Sequence, residues 1–263
     1  MSDLTVTLIQ ANLHWEDKAA NLAMFDAKID AIQGRTEIVI LPEMFSTGFS
    51  MQPEKLAETM EGETVNWMKK KSREKNIILA GSVIIEEDGH FYNRFIWMQP
   101  NGVYGKYDKR HLFGFAGEHN HYEPGDQRLI AQVKGWKICV AVCYDLRFPV
   151  WARNQVAADG TAAYDLYINV ANWPERRNTA WRTLLQARAI ENQCYVVGVN
   201  RVGNDGNNIY HSGDSSIIDA LGEIIYHKAH DEDVFTYTLT KAPLEEIRSK
   251  IPFLKDADRF TIL

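Results

Sequence analysis

A cysteine and a glutamate, each placed where an apolar run gives way to polar residues, and a lysine in the middle of the chain are the side chains best suited to chemistry. Cys143 ends the run Lys137-Ile138-Cys139-Val140-Ala141-Val142 and is followed by Tyr144-Asp145-Leu146-Arg147. The run has strand character, so the thiol falls where a strand ends and a turn towards a helix begins. Amides at a helix N-terminus lower a thiol's pKa and can hold an anionic oxygen, which makes a lowered pKa the expectation for Cys143. Glu43 follows Ile38-Val39-Ile40-Leu41-Pro42, and Lys109 sits within Tyr107-Asp108-Lys109-Arg110-His111. Singly, each has a plainer reading: a small core hydrophobe, a turn cap, a surface charge. Together they can cleave an amide. A thiolate attacks the carbonyl carbon, a carboxylate takes the thiol proton and returns it to departing ammonia, and an ammonium steadies the oxyanion.

Elements far apart in sequence must bring these positions together. The pattern predicts a strand over Leu4–Ile9, a helix from about Glu16 to Gln33, a buried strand at Glu37–Leu41 and a helix from about Glu63 to Glu74. Strands follow at Ile77–Ile85 and Phe91–Met98, joined by the Asp88-Gly89 hairpin signal, and at Arg128–Val133 and Lys137–Val142 around Gly135. A helix over Ala152–Ala158, a strand at Leu166–Val170 and a helix over Thr179–Glu191 come next. Tyr195–Asn200, Ser215–Ile218, Ile224–Tyr226 and Val234–Leu239 complete the strands, with a turn at Gly206. Helices mixed with adjacent hairpins predict an α/β fold in which helices lie over sheets, rather than a doubly wound parallel sheet. No linker, repeat or low-complexity tract divides the 263 residues, so a single domain over 1–263 is expected. Active residues in such layered folds gather beyond strand ends.

The net charge of −6 without long runs of one sign argues against a nucleic-acid binder and against a polybasic membrane anchor. No signal-peptide pattern opens the chain and no stretch is long enough to span a bilayer, so a cytoplasmic protein is expected. Cys139, Cys143 and Cys194 are an odd number, and Cys139 and Cys143 would lie about 13 Å apart along a strand, too far for a disulfide; free thiols are expected. His111, His119 and His121 lack the spacing of a firm metal site, and no metal is expected. Asp145 reads as a turn residue with no proton-transfer role, because no histidine is placed by sequence to mediate. Arg147 reads as a structural partner of a nearby carboxylate.

Pro42-Glu43, Tyr107-Asp108-Lys109-Arg110-His111-Leu112-Phe113 and Cys143-Tyr144-Asp145-Leu146-Arg147-Phe148-Pro149 together resemble the signatures of the nitrilase superfamily of carbon–nitrogen hydrolases, in order and over nearly the whole chain. The resemblance implies a four-layer αββα sandwich that works without metal or organic cofactor. It implies Glu43 as general base, Lys109 and the Tyr144 N–H as oxyanion donors, and Cys143 as nucleophile. A second glutamate is implied eight residues before the last residue of Pro124-Gly125-Asp126, which is Glu118. Asn169-Val170-Ala171-Asn172-Trp173-Pro174-Glu175-Arg176-Arg177, the helix after it and Met44-Phe45-Ser46-Thr47-Gly48-Phe49 resemble bacterial ω-amidases, which act on 2-oxoglutaramate and 2-oxosuccinamate. Such a substrate carries a distal carboxylate, for which Arg176 or Arg177 is the expected partner, while Phe45, Phe49 and Trp173 would wall the pocket. The alternatives are an N-carbamoyl-compound or deaminated-glutathione amidase and, from another class, a non-catalytic scaffold. Homodimers are common in the superfamily and one is expected here.

Overall fold

Strands that are apolar on both faces need cover on both sides, and in this chain each face finds a different partner. The computed structural model describes residues 3–157, 159–258 and 260–262. Among them, β1 (Leu4–Gln10), β2 (Ile38–Ile40), β3 (Ile78–Glu87), β4 (His90–Met98), β5 (Tyr104–Asp108) and β13 (Asp233–Leu239) form one sheet in the order β13-β1-β2-β3-β4-β5. β6 (Ile130–Val133), β7 (Trp136–Val142), β8 (Leu166–Ala171), β9 (Tyr195–Asn200), β10 (Val202–Asn204) and β11 (Tyr210–Ile218) form the other, ordered β10-β11-β9-β8-β7-β6, with β12 (Ile224–Ala229) on β11. Parallel pairs β1–β2–β3 and β7–β8–β9 lie at the centre of each sheet.

The period of two along each strand sorts side chains between layers. Leu4, Val6 and Leu8 of β1, and Ile38 and Ile40 of β2, meet Trp136, Ile138, Val140 and Val142 of β7 in a core between the sheets. The opposite faces turn outward. Ile9 and Val39 pack with Leu22, Phe25 and Ile29 of α1 (Lys18–Asp30) and with Val65 and Met68 of α3 (Glu63–Lys75). Cys139, Ala141 and Tyr167 pack with Trp181, Leu185 and Ala189 of α5 (Asn178–Asn192). The result is an αββα sandwich, as the sequence resemblance implied. Helix α5 lies so close to β9 that a Cβ on Gly198 would come within 2.5 Å of Leu185 Cδ1. No described helix is long and apolar enough to cross a membrane.

Several boundaries differ from the expectation. α1 begins later than Glu16, because the Asp17 side chain accepts from Ala20 N at 2.9 Å and caps it. The predicted helix at 152–158 is instead α4, Pro149–Ala152, with Pro149 at its first turn; Ala158 lies outside the described residues. Beyond Ala152 the chain is drawn away by Asn154, whose side chain bonds Tyr164 O and Asn192 O. α2 (Pro53–Leu56), β5, β10 and α6 (Lys241–Lys250) carried too few periodic apolar residues to be read from sequence. In the C-terminal tail Leu254 is buried on the chain's own body, its N–H donating to the Gln193 side chain, whereas Phe253 is exposed.

Candidate active site

Glu43 follows β2, Lys109 follows β5 and Cys143 follows β7, and the sandwich brings the three strand ends together. The register of β4 and β5 carries on past the strand, where the Lys109 N–H donates to Asn93 O at 3.0 Å. Lys109 Nζ donates to Glu43 Oε1 at 2.9 Å and to both oxygens of Glu118, at 3.0 and 2.9 Å. All three side chains are fully buried. Glu118 Oε2 also accepts from Phe113 N at 2.5 Å, which ties the loop after Lys109 to the same carboxylate. Counting back from Pro124-Gly125-Asp126 therefore led to a residue the fold does place beside Lys109. Gly125 is fitted there because its N–H donates to Lys109 O and a Cβ would fall 2.2 Å from Asp108 O.

Two asparagines that the motifs did not single out complete the cluster. Asn93 Nδ2 donates to Glu43 Oε1 at 2.8 Å and to Glu118 Oε1 at 3.3 Å. Asn172, just beyond β8, donates its backbone N–H to Glu43 Oε2 at 2.8 Å and its side chain to Glu43 O at 2.6 Å. An asparagine inside the predicted strand Phe91–Met98 was the legible signal for the first, since asparagine is depleted in strands. The strand-end rule would have found the second.

Two carboxylates around one ammonium leave the cluster with excess negative charge, and this shapes every proton nearby. Burial alone would push the Lys109 ammonium down, but Glu118 and Glu43 outweigh it and hold the group above its ordinary value. Burial raises the Glu118 carboxyl despite Lys109, and Glu43 adds repulsion. The Cys143 thiol is pushed well up, first by burial and then by Glu43, with Lys109 opposing. The expected lowering at Cys143 is therefore overturned. Its turn is a single 3-10 stretch, Cys143–Arg147, too short for a substantial dipole, and a carboxylate faces the sulfur. Cys143 itself adopts φ +46°, left-handed backbone uncommon for a residue with a Cβ. A protonated thiol beside a carboxylate and an ammonium is suited to nucleophilic attack with the proton passed to the carboxylate.

Cys143 opens into a cavity of about 420 Å³, whose walls include Phe49, Phe113, Tyr144 and Trp173. The Tyr144 N–H makes no hydrogen bond within the described residues. Phe45 lies elsewhere, contrary to expectation. It is fully buried behind the sheet, edge-on to Phe25 at 5.6 Å and close against Gly81, so it belongs to the α1–α3 core. Arg176 and Arg177 both line the cavity, and Arg147 joins them. Arg147 has no carboxylate partner among the described residues, against the expected ion pair; its guanidinium lies over the Trp173 ring at 4.8 Å. The Arg177 guanidinium lies over Phe113 at 5.1 Å. Burial lowers Arg177, and repulsion from Arg176 and Arg147 lowers it further.

The cavity also reaches residues with no motif to announce them: Trp15, Glu16, Asp205 and His211. Burial, with the Arg201 guanidinium adding to it, pushes His211 down to about 4. An unfolded histidine titrates near 6.5, so between pH 6.5 and 4 the unfolded chain takes a proton that the folded site refuses. Stability contributed by neutral His211 is thus present above pH 6.5 and lost as pH falls towards 4. His211→Gln is expected to show a smaller drop in Tm between pH 7 and pH 5 than the parent protein. Equal drops in thermal melts at the two pH values would contradict that assignment.

The carbon–nitrogen hydrolase family matches residues 5–249, and the chain belongs to it. It is a hydrolase of carbon–nitrogen bonds other than peptide bonds, an amidase of the nitrilase superfamily. Omega-amidase YafV of Escherichia coli K12 is 45% identical over 263 residues, covering 100% of both chains. The 2-oxoglutaramate amidase of Bacillus subtilis is 29% identical and covers 96% of each. Among solved structures, XC1258 of Xanthomonas campestris, a CN-hydrolase superfamily protein with an arsenic adduct in its active site, superposes with a TM-score of 0.97 at 43% identity over 100% of both chains. Saccharomyces cerevisiae Nit3, of branch 10 of the nitrilase superfamily, gives 0.83 at 27% identity over 95% of this chain and 94% of that one.

Proposed function

We propose that this amidase hydrolyses the terminal amide of a small 2-oxo dicarboxylic acid monoamide, 2-oxoglutaramate or 2-oxosuccinamate, to the keto acid and ammonia through a thioester on Cys143. The observation that carries the reading is the set Arg147, Arg176 and Arg177 in the cavity that Cys143 enters, with no carboxylate ion-paired to any of them among the described residues. Cations held on aromatic faces and left unneutralised suit a carboxylate that arrives with the substrate. The names of the Escherichia coli and Bacillus subtilis relatives support the same substrate class.

In this reaction Glu43 takes the Cys143 proton as sulfur bonds to the amide carbon. The tetrahedral oxyanion is held by Lys109 Nζ and the Tyr144 N–H. At rest the three ammonium contacts of Lys109 are all to carboxylate oxygens. Protonation of Glu43 neutralises one of these acceptors and frees a donor for the oxyanion at the moment it forms. Collapse breaks the carbon–nitrogen bond, and the proton on Glu43 leaves with ammonia. Water then attacks the thioester carbon, Glu43 takes the water proton, and its return to sulfur releases the acid and restores the thiol. Glu118 keeps Lys109 oriented through both steps.

The test is ammonia release from 2-oxoglutaramate by purified protein, with Cys143→Ala as control. Arg147→Ala or Arg177→Ala is expected to raise KM about tenfold or more for this substrate, as loss of a charged hydrogen bond does, while a neutral short-chain amide is unaffected. No release from 2-oxoglutaramate, with Cys143 still alkylated by iodoacetamide, would reject the substrate. The cavity has room for a longer acyl chain, so deaminated glutathione and N-carbamoyl compounds are the comparison substrates. Carbon dioxide released with ammonia identifies the last.

A further inference from the structure

Cys143 comes from one sheet and Lys109 from the other, so something must set the distance between them. A single buried carboxylate spans that gap. Asp145, two residues after Cys143, is fully buried. Its Oδ1 accepts from His111 N at 2.9 Å and lies 2.8 Å from His111 Nδ1. Its Oδ2 accepts from Tyr107 OH at 2.7 Å and from Val142 N at 3.0 Å. Tyr107 and His111 flank Lys109 by two residues on either side, and Val142 and Asp145 flank Cys143.

The surroundings stiffen this bracket. Tyr107 OH accepts from Arg110 N at 3.2 Å and from Trp151 Nε1 at 3.0 Å, and Tyr107 is itself buried. The His111 ring stacks on Phe148 at 3.7 Å and 4°. The carboxylate thus gathers the loop that carries Lys109 onto the turn that carries Cys143. Asn172 makes the corresponding tie to Glu43 on the other side.

We propose that Asp145 is a positioning residue for the amidase reaction: its carboxylate, bonded to Tyr107 and His111 across the sheet gap, holds Lys109 in register with Cys143. It touches neither the substrate nor the cavity. The inference rests on Cys143 and Lys109 acting together as proposed above, but its test needs no substrate. The groups that face the thiol are Glu43, Lys109 and Glu118, with Arg177 further out, and Lys109 is the one of the first three that favours the thiolate. If the bracket slackens, Lys109 retreats and the thiol becomes harder to ionise.

The experiment is the pH profile of Cys143 alkylation by iodoacetamide in Asp145→Asn, beside steady-state kinetics. Cys139 and Cys194 are buried and do not compete. An amide has one acceptor oxygen where the carboxylate meets four donors. Expected are a rise of about one unit in the alkylation midpoint, an unchanged titre of reactive thiol, and kcat down ten- to thirtyfold with KM within about twofold. His111→Phe keeps the stack on Phe148 and removes only the ring contact; a smaller shift in the same direction is expected. An unmoved midpoint in folded Asp145→Asn, with any loss of kcat tracking lost thiol titre, would overturn the proposal. Should Asp145→Asn fail to fold, an unmoved midpoint in His111→Phe does the same. Absence of 2-oxoglutaramate turnover in the parent protein would reject the substrate and leave the alkylation result readable.

Discussion

Glu43→Gln is expected to lower kcat/KM for amide hydrolysis by about 10²–10⁴, the range set by losing a positioned proton acceptor. Glutamine matches the volume and keeps an oxygen for Asn93 and Lys109, which now reach Glu43 Oε1 at 2.8 and 2.9 Å. The other end loses its match. An amide nitrogen would face Asn172 N, which now donates to Oε2 at 2.8 Å, at a cost of about 1–3 kcal/mol for the mispaired buried group. Part of that cost is offset because the substitution removes the excess negative charge around Lys109. The variant should therefore fold. Burial still raises the thiol, so at neutral pH Cys143 stays protonated with no base beside it, and iodoacetamide reacts slowly. Kinetics near those of the parent would move the base role from Glu43 to Glu118.

Lys109→Met is expected to damage catalysis and stability together. Losing an oxyanion donor costs about 10²–10³ in kcat. Losing the cation also strands two buried carboxylates within one cluster, and breaking a buried ion pair this way costs about 3–5 kcal/mol. The pH dependence tells this loss from ordinary loosening. Burial already raises the Glu118 carboxyl, and without Lys109 to oppose it the group rises further. A carboxyl with a raised folded-state pKa binds its proton more tightly when folded, so that state gains stability at low pH and loses it as pH rises through the raised pKa. The Tm deficit of Lys109→Met should accordingly be smaller at pH 5 than at pH 8. Equal deficits would mean that Lys109 does not serve as the counter-ion of the cluster.

Much of this protein was determined by its sequence acting locally. Alternating apolar residues such as Ile138, Val140 and Val142 against Cys139 and Ala141 predetermine a strand covered on both faces, and Cys143 falls at its end because the apolar run stops there. The resemblance carried by the three motifs and the Pro124-Gly125-Asp126 count implied Glu43, Lys109, Cys143 and Glu118. Of these, Glu43 and Cys143 were also marked by apolar runs ending beside them, since strand ends are where a layered fold gathers polar groups. What the sequence could not decide depends on which sheet meets which. Phe45 and Phe49 are alike on paper, yet one faces α1 and the other the cavity, since the chain turns between them, with Gly48 N donating to Met44 O and Gly48 itself left-handed at φ +76°. Among the described residues Arg147 meets no carboxylate, because the turn aims it over Trp173. The thiol's pKa turned on burial and on Glu43, both tertiary facts, rather than on the local turn. Asn93, Asn172 and Asp145 take their partners from chain segments 25 to 129 residues away, too distant for spacing to reveal which partner each meets. Hydrogen-bond partners are chosen by contact in space, and only the folded sandwich supplies that contact.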